Sequence, residues 1–585
     1  MKLDSIELEV IKSRLEEAAL TMENQLFHSG YSPILRESAD GSATVLNKSG
    51  GVIVGTGLPV HLFPYYHTVR AVLKLVGERM QPGDSFLIND PYLGGNLHVP
   101  DTAIVTPFFH DGRLAAFCAS IAHKPDLGGL VIGSSSAAAR EIYHEGLLFP
   151  GVRYWTAQGP NPDFEAMLRS NTRSPEEAIG DLRAQVGCTR IGCTRLKELF
   201  DRYGAEVMTD AFEELIRASE RRVRQKLAAI PDGTAQAEAM LDHDGVDVNK
   251  PIAIRVKIVK RGGNITIDFS NSDPHTAGPI NLRPQAAESG AAIGLIAMLD
   301  PDIPINDGCR RVIEFINPPG LITHAIKPRP INNYYPSLHL VYCVTQKALA
   351  QLAPEKAVAP AGLGIGAFAI GYQRTRNGKP GALYELMVTS LGGTSGGDGT
   401  FLVMAVAQIT PTQPIEILES EYPVEVMRFE PLADTAGPGR NRGGPGYLRE
   451  YRLLENAVVT VRMGHFANGA WGIVDGGAPN LTRCVLNAGT EREERLPIMV
   501  TRQLKAGDTV SLTLSGGGGY GAPAGRAPER VACDVRDGLV SVDAARARYR
   551  AVIDQPQLTV NEAATQSLRA QGQVADAART PIGGA

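Results

Sequence analysis

The sequence predicts an α+β protein in several segments, with a mixed helix-and-strand N-terminal part and a β-rich C-terminal part. Three observations lead there. Helical periodicities alternate with short β-branched and aromatic runs up to about residue 230, a mixed pattern rather than a bundle pattern. Gly 63 and Pro 39 in 585 residues supply many turns and loops. From about Ile230, and again from about Pro414, the texture becomes strand-like. The expected segments are 1–230, a central α+β part 231–413, a β-rich part 414–555, and a loose tail 556–585 rich in Ala, Gln and Gly.

Residues 4–28 predict an amphipathic helix. Ile6, Val10, Ile11, Leu15, Ala18, Met22 and Leu26 recur at helical spacing, Asp4 is the N-cap, and Gly30, Ser32 and Pro33 stop it. Asp40, before Gly41, reads by itself as an ordinary turn aspartate. His61 and His67 flank an apolar element ahead of a helix expected over His67–Met80. A histidine on an apolar face is usually a hydrogen-bonded core residue, so both are placed outside any ligand cluster.

Residues 81–130 organise the chain. Thr102–Phe109 (TAIVTPFF) predicts a strand and Leu114–Ala122 a second. Asp111-Gly112 between them is a preferred hairpin centre, because both positions tolerate positive φ. A hairpin centred there places Asp101 opposite Ala122 and Pro100 opposite His123. His98, Asp101 and His123 then converge at its open end, although 25 residues separate the two histidines. Two imidazoles and a carboxylate so placed suit a divalent metal of the zinc, manganese or iron kind. Taken by spacing alone, the same residues also read as surface polar groups or satisfied hydrogen-bonders.

Helical pattern returns over Ala137–Leu148, Asp163–Ser170, Asp181–Arg195 and Ala205–Lys226, with Ser174-Pro175 as an N-cap and N1 pair. Ala237–Asp244, Ile252–Val259 and Asn264–Phe269 predict strands, Ala286–Leu299 a buried helix and Tyr334–Leu352 another helix. Phe401–Ile409 is expected as a strand or irregular structure. Pro414–Glu419, Tyr447–Leu454, Val458–Met463, Arg483–Leu486 and Thr509–Leu514 are expected to be strand-like, with a short helix after Gly538.

Composition excludes several classes. A net charge of −5 without a long basic run argues against nucleic acid. No segment reaches the ~18 uninterrupted apolar residues of a membrane span, and the charged N-terminus lacks the apolar core of a secretion signal. Seven scattered cysteines without a pairing framework suggest reduced thiols in a cytoplasmic protein, with Cys188 and Cys193 assigned to helix packing. Gly393–Gly397 fits G-x-S-x-G but reads as a glycine-rich loop, so Ser395 is not assigned as a nucleophile. Gly516–Gly521 fits a dinucleotide fingerprint on paper, but Pro523 and Pro528 follow it and no βαβ unit surrounds it.

Longer matches carry a resemblance. They are Gly83-Asp84-Ser85-Phe86-Leu87-Ile88-Asn89-Asp90-Pro91-Tyr92, Gly94-Gly95, His98-Val99-Pro100-Asp101, Val105-Thr106-Pro107, Ala122-His123, Asp126-Leu127-Gly128-Gly129 and Glu141–Leu147. Through them the chain resembles the hydantoinase B/oxoprolinase family, over about residues 5–550. The resemblance implies that Asp40 completes a metal site with His98, Asp101 and His123, the ion being zinc, manganese or iron. It implies a separate A-type subunit of sugar-kinase-like fold that binds ATP and Mg, in an α2β2 hetero-oligomer; this chain has no G-x-x-x-x-G-K-[ST] motif of its own. The implied function is the metal-bearing B (beta) subunit of an ATP-dependent hydrolase that opens hydantoins, oxoproline-like lactams or other cyclic amides. Two alternatives stand beside it: a subunit of an ATP-dependent ketone carboxylase of the acetone or acetophenone type, and a non-catalytic scaffold whose metal staples the hairpin. No general base is assigned. Asp126 is the candidate for orienting a ligand histidine through its second nitrogen.

Overall fold

The computed structural model describes residues 4–134, 136–403 and 411–577. Its N-terminal part is built on seven strands: β1 (Gly41–Asn47), β2 (Val52–Gly57), β3 (Ser85–Ile88), β4 (Asp101–His110), β5 (Arg113–His123), β6 (Pro150–Thr156) and β7 (Gly159–Pro160). They form one sheet in the order β2-β1-β5-β4-β3-β6-β7, with every neighbouring pair antiparallel. Helices cover both faces. On one, the helices Ser5–His28 and Pro175–Tyr203 bring Ile11, Leu15, Met22 and Cys188 against Ala43, Val45, Ala116 and Cys118. On the other, Leu62–Val76 sets Tyr65, Val69 and Val72 against Phe86, Ala103, Val105 and Phe117. Helices on both sides bury β4 at eight of its ten positions instead of at alternate ones.

The β4–β5 hairpin turns at Asp111 (φ 48°) and Gly112 (φ 71°), the backbone of a type I′ turn. Its far end differs from the expected register by one residue. Phe109 pairs with Leu114 but Phe108 pairs with Ala116, so Ala115 is the extra residue of a β-bulge. Beyond the bulge Asp101 faces His123, not Ala122. Turn chemistry sets the register next to the turn and says nothing of a bulge further along.

Four other elements depart from expectation. The helix expected over His67–Met80 runs from Leu62 to Val76 and stops at Gly77, whose φ is 54°. Ala137–Leu148 is not an α-helix; it holds a single 3-10 turn, Ile142–His144. Its backbone groups pair with distant loops, Ile142 N–H with the Pro328 carbonyl at 2.8 Å and Leu147 N–H with the Leu127 carbonyl at 2.9 Å. Pro414–Glu419 enters the helix Ile415–Glu421, and the strand starts later, at Val424. The stretch after Pro556 contains the helix Glu562–Ala577, held by Arg569 Nη2 donating to the Arg526 carbonyl at 2.7 Å. Of the expectation for Phe401–Ile409, residues 404–409 lie outside the described residues.

Four further sheets follow among the described residues, the last only the two short strands Ile553–Asp554 and Thr559–Val560. Gly233–Leu241, Ile252–Arg261, Asn264–Asp268 and Ile313–Ile316 form one of four strands. A second four-stranded sheet, containing Gly366–Tyr372, Gly381–Met387 and Ala457–Met463, packs against a five-stranded one containing Tyr447–Leu453 and Thr509–Leu514. Phe368, Ile370, Val461, Tyr451 and Leu512 share the core between them. The largest core surrounds two buried helices, Pro284–Leu299 and Tyr335–Leu349. It takes in Val60 and Val223 at one extreme and Ile498 and Met499 at the other, so one core crosses positions 230 and 413.

The two buried helices touch backbone to side. A Cβ on Gly290 would stand 2.9 Å from the Leu338 carbonyl oxygen, and one on Gly294 would stand 2.9 Å from that of Tyr342. Immediately before the second helix, Asn332 and Tyr334 reach His98, just ahead of β4 of the first sheet. Gly290→Val and Gly294→Val are therefore expected to force this pair apart, each at a cost of about 1–3 kcal/mol. The measurement is a lowered midpoint of thermal and urea unfolding, with Gly290→Ala less affected than Gly290→Val.

Candidate metal centre

Three of the expected site residues are set by strand register. Asp101 opens β4, His123 closes β5, and the two pair directly. β1 runs antiparallel to β5 with Gly41 opposite Ala122, which brings Asp40 beside His123. The Asp40 carbonyl accepts the His123 N–H at 3.1 Å. His98 comes from the loop between β3 and β4. Asn89 holds that loop, with Nδ2 donating to the carbonyls of Val99 and Leu147 at 2.8 and 2.9 Å, and Oδ1 accepting the Phe149 N–H at 2.6 Å. Asn96 Nδ2 donates to the Asp101 carbonyl at 2.7 Å.

The side chains converge. His98 Nε2 lies 3.0 Å from Asp101 Oδ1, and His123 Nδ1 lies 3.4 Å from the same oxygen and 3.9 Å from Asp40 Oδ2. All four residues are buried, none more than 6% exposed. A fifth joins them. His61 Nε2 lies 3.7 Å from Asp101 Oδ2, while its Nδ1 is 3.0 Å from Ser42 Oγ. Donor atoms of His98, Asp101 and His123 lie within 4.8 Å of one another, as do those of Asp40, His61 and Asp101. By sequence His61 reads as a core histidine because its neighbours Val60 and Leu62 are apolar. His67 does stand apart, half-buried and 3.4 Å from Glu288.

Burial pushes the Asp40 carboxyl up, against the opposing charge of His123. Burial acts on Asp101 too, but the charge of His98 and the close approach of the His123, His61 and His98 imidazoles hold its carboxyl well below the usual range. Burial disfavours the His98 cation, yet Asp101 and Asn332 together raise its pKa, whereas at His123 burial prevails and lowers it. Burial thus disfavours charge at Asp40 and His123, while His98 and Asp101 favour it in each other. Asp101 Oδ2 and His123 Nε2 are buried without a hydrogen-bond partner, an arrangement that costs about 1–3 kcal/mol per atom if nothing binds there. Two carboxylates and three imidazoles are the oxygen and nitrogen donors of zinc, manganese or iron sites. The orphaned atoms and the donor set together fit a divalent cation.

Residues remote in sequence complete the walls. Asn332 Nδ2 donates to the Ser134 carbonyl, which turns Oδ1 toward His98 Nδ1 at 2.8 Å. That arrangement puts a proton on Nδ1 and directs Nε2 to Asp101. Tyr334 and Tyr384 pack on His98 and His123, each with ring centroids 4.8 Å apart, and Arg462 donates to the Tyr384 hydroxyl at 3.0 Å. Asn332 lies 234 residues from His98, and nothing in the sequence links them.

Asp126 does not take the expected role. Its Oδ1 accepts the N–H groups of Gly128 and Arg173 at 2.9 and 3.0 Å. Its Oδ2 accepts the Gly133 N–H at 2.9 Å and the Arg173 guanidinium at 3.1 Å. Both oxygens are committed to the glycine loop after β5, and the partner of His98 is Asn332. The G-x-S-x-G segment is a loop, as expected: exposed Ser395 donates to the Glu355 carbonyl at 3.4 Å, and Gly393 N–H donates to the Gly518 carbonyl at 2.9 Å. The two glycine motifs therefore pack on each other as backbone.

Fold and site together define a large α+β chain with a buried oxygen-and-nitrogen donor cluster at one sheet end. The chain belongs to the hydantoinase B/oxoprolinase family, whose model matches residues 4–523. It is 30% identical to the caprolactamase subunit beta of Pseudomonas jessenii, over 97% of this chain and 99% of that one. It is 26% identical to 5-oxoprolinase 1 of Arabidopsis thaliana, over 89% of this chain and 42% of that protein. The crystal structure of the ATP-dependent caprolactamase from Pseudomonas jessenii matches with a TM-score of 0.89 at 29% identity, covering 97% of this chain and 100% of that one. Nucleotide-free acetone carboxylase matches with a TM-score of 0.89 at 18% identity, over 99% of this chain and 84% of that one, a likeness of fold. Among the described residues no helix is long and apolar enough to cross a membrane.

Asp126→Asn tests the reassignment. It is expected to cost about 1–3 kcal/mol of stability through the lost Arg173 and loop contacts, and to leave metal uptake unchanged by elemental analysis. Asp101→Asn, which weakens the one residue common to both donor sets, is expected to abolish uptake.

Proposed function

We propose that the chain is the metal-bearing B (beta) subunit of an ATP-dependent enzyme that opens cyclic amides. ATP and Mg are held by a separate A-type subunit, in an α2β2 assembly in the cytoplasm. The observation that carries this reading is the convergence of Asp40, His98, Asp101 and His123 in a chain similar along 97% of its length to a caprolactamase subunit beta. The relatives named for caprolactam and 5-oxoproline support a lactam-type substrate. Seven unpaired cysteines support a reducing compartment.

An unstrained amide is a poor electrophile with a poor leaving group, so ring opening needs activation that ATP can supply by phosphorylating the amide oxygen. Asp40, His98, Asp101 and His123 would hold a zinc, manganese or iron ion. When bound, that ion supplies a Lewis acid for a substrate oxygen or for water. The chain's own residues do the rest. Asn332 fixes the proton of His98 on Nδ1. His61, anchored on Ser42, faces the second oxygen of Asp101. Tyr334 and Tyr384 exclude water from the outer faces of the two imidazoles.

Elemental analysis by mass spectrometry is expected to find about one metal per wild-type chain and none in a folded His98→Ala, His123→Ala double variant. With the A-type partner, ATP and Mg, the wild type is expected to open a hydantoin, 5-oxoproline or caprolactam ring, and the double variant is expected not to. Labelled bicarbonate retained in a stable product would instead assign the ketone-carboxylase reaction. Parallel loss of stability and activity in Asp101→Ala would assign a structural metal.

A further inference from the structure

Glu145 is 1% exposed and follows the 3-10 turn Ile142–His144. Its Oε1 accepts two backbone N–H groups, from Ile331 at 2.7 Å and from Asn332 at 2.8 Å. Asn332 is the residue whose carboxamide meets His98 Nδ1. The remaining polar atoms of Asn332 are held as well: Nδ2 donates to the Ser134 carbonyl, and the Asn332 carbonyl accepts Arg462 Nη1 at 3.1 Å. Arg462 also holds Tyr384, which packs on His123. One residue is thus gripped at every donor and acceptor it has, and its free end is spent on a histidine of the cluster.

A carboxylate is an expensive group for that grip. Burial pushes the Glu145 carboxyl up to about 8, and its Oε2 is buried with no partner. Closing the two loops does not require it, because the Ile142 N–H already joins the Pro328 carbonyl at 2.8 Å. Glu145 adds a fixed position for the Asn332 backbone, and through it for the carboxamide that sets the tautomer and plane of His98.

Resting on the metal reading above, we infer that Glu145 is a positioning residue for His98, acting through Asn332. The role depends on the reach of the side chain and not on its charge. Glu145→Gln keeps the reach and an acceptor oxygen while removing the ionisable carboxyl. Glu145→Asp keeps the carboxyl but withdraws the oxygen by one carbon–carbon bond, about 1.5 Å.

The measurement is the zinc affinity of the full chain, by competition with a chromophoric chelator, with a thermal midpoint taken for each variant. E145Q is expected to bind within about threefold of the wild type, while E145D and N332A bind about 10–100-fold more weakly. The double variant E145D/N332A is expected to be no weaker than N332A, because both changes remove one coupled contact. Additive losses in the double variant, wild-type affinity in E145D, or E145Q as weak as E145D would each overturn the inference. N332A leaves the Glu145 backbone contacts in place, so if E145D does not fold, wild-type affinity in N332A still overturns it. A wild-type chain that takes up no zinc, manganese or iron overturns the metal reading itself, a result distinct from the others.

Discussion

The cluster depends on the register between β4 and β5. Side chains alternate across a strand, so a slip of one residue moves every one of them to the opposite face. With Ala115 bulged, Asp101 meets His123; without that residue Asp101 would meet Ala122. β1 is then registered to β5 through Gly41 and Ala122, which delivers Asp40. Three donors are therefore positioned by the hydrogen-bond ladder of one sheet. Only His98 arrives on a loop, and that loop is tied down by the amides of Asn89 and Asn96. Rigid placement on sheet ends is what a site with distances near 3 Å to 4 Å requires.

The parts of this that were legible in sequence are those with local chemistry. Asp111-Gly112 specifies its turn, and the apolar run on each side specifies a strand, so the chain itself brings residues 98–101 and His123 to the same hairpin end, while the direct pairing of Asp101 with His123 needs the bulge. The bulge was not legible, since no residue type marks Ala115. Asp40 was legible only by resemblance: an aspartate before glycine looks like any turn. His61 was hidden by Val60, Leu62 and Phe63, which fill the core as their hydropathy predicts while the imidazole turns the other way. Asn332 and Glu145 act across contacts that only folding creates. The misread helix at Ala137–Leu148 has a related cause. Apolar residues at helical spacing also arise in a loop that lies on a core, and there the backbone finds its partners far away.

The large shared core bears on how the site is held. Tyr334 and Asn332 come from the start of a central buried helix, Tyr384 and Arg462 from a C-terminal sheet, and the donors from the N-terminal sheet. The cluster sits where these three meet. A core that crosses positions 230 and 413 couples them, so the relative placement of donors and walls is a property of the whole chain.

The kind of cation in the cluster is itself informative. At Glu385 a buried acid is paired with a permanent cation: it accepts from Arg449 at 2.9 Å, both enclosed between the two C-terminal sheets. Among the described residues, every ion-pair partner of Asp40 and Asp101 is a histidine. An arginine cannot give up its proton and cannot ligate; an imidazole can do both near neutral pH. An arginine in place of His98 would satisfy Asp101 permanently and close the site to any other cation. Histidines neutralise the buried carboxylates only provisionally, and the partner they leave room for is one that displaces protons, as a divalent metal does.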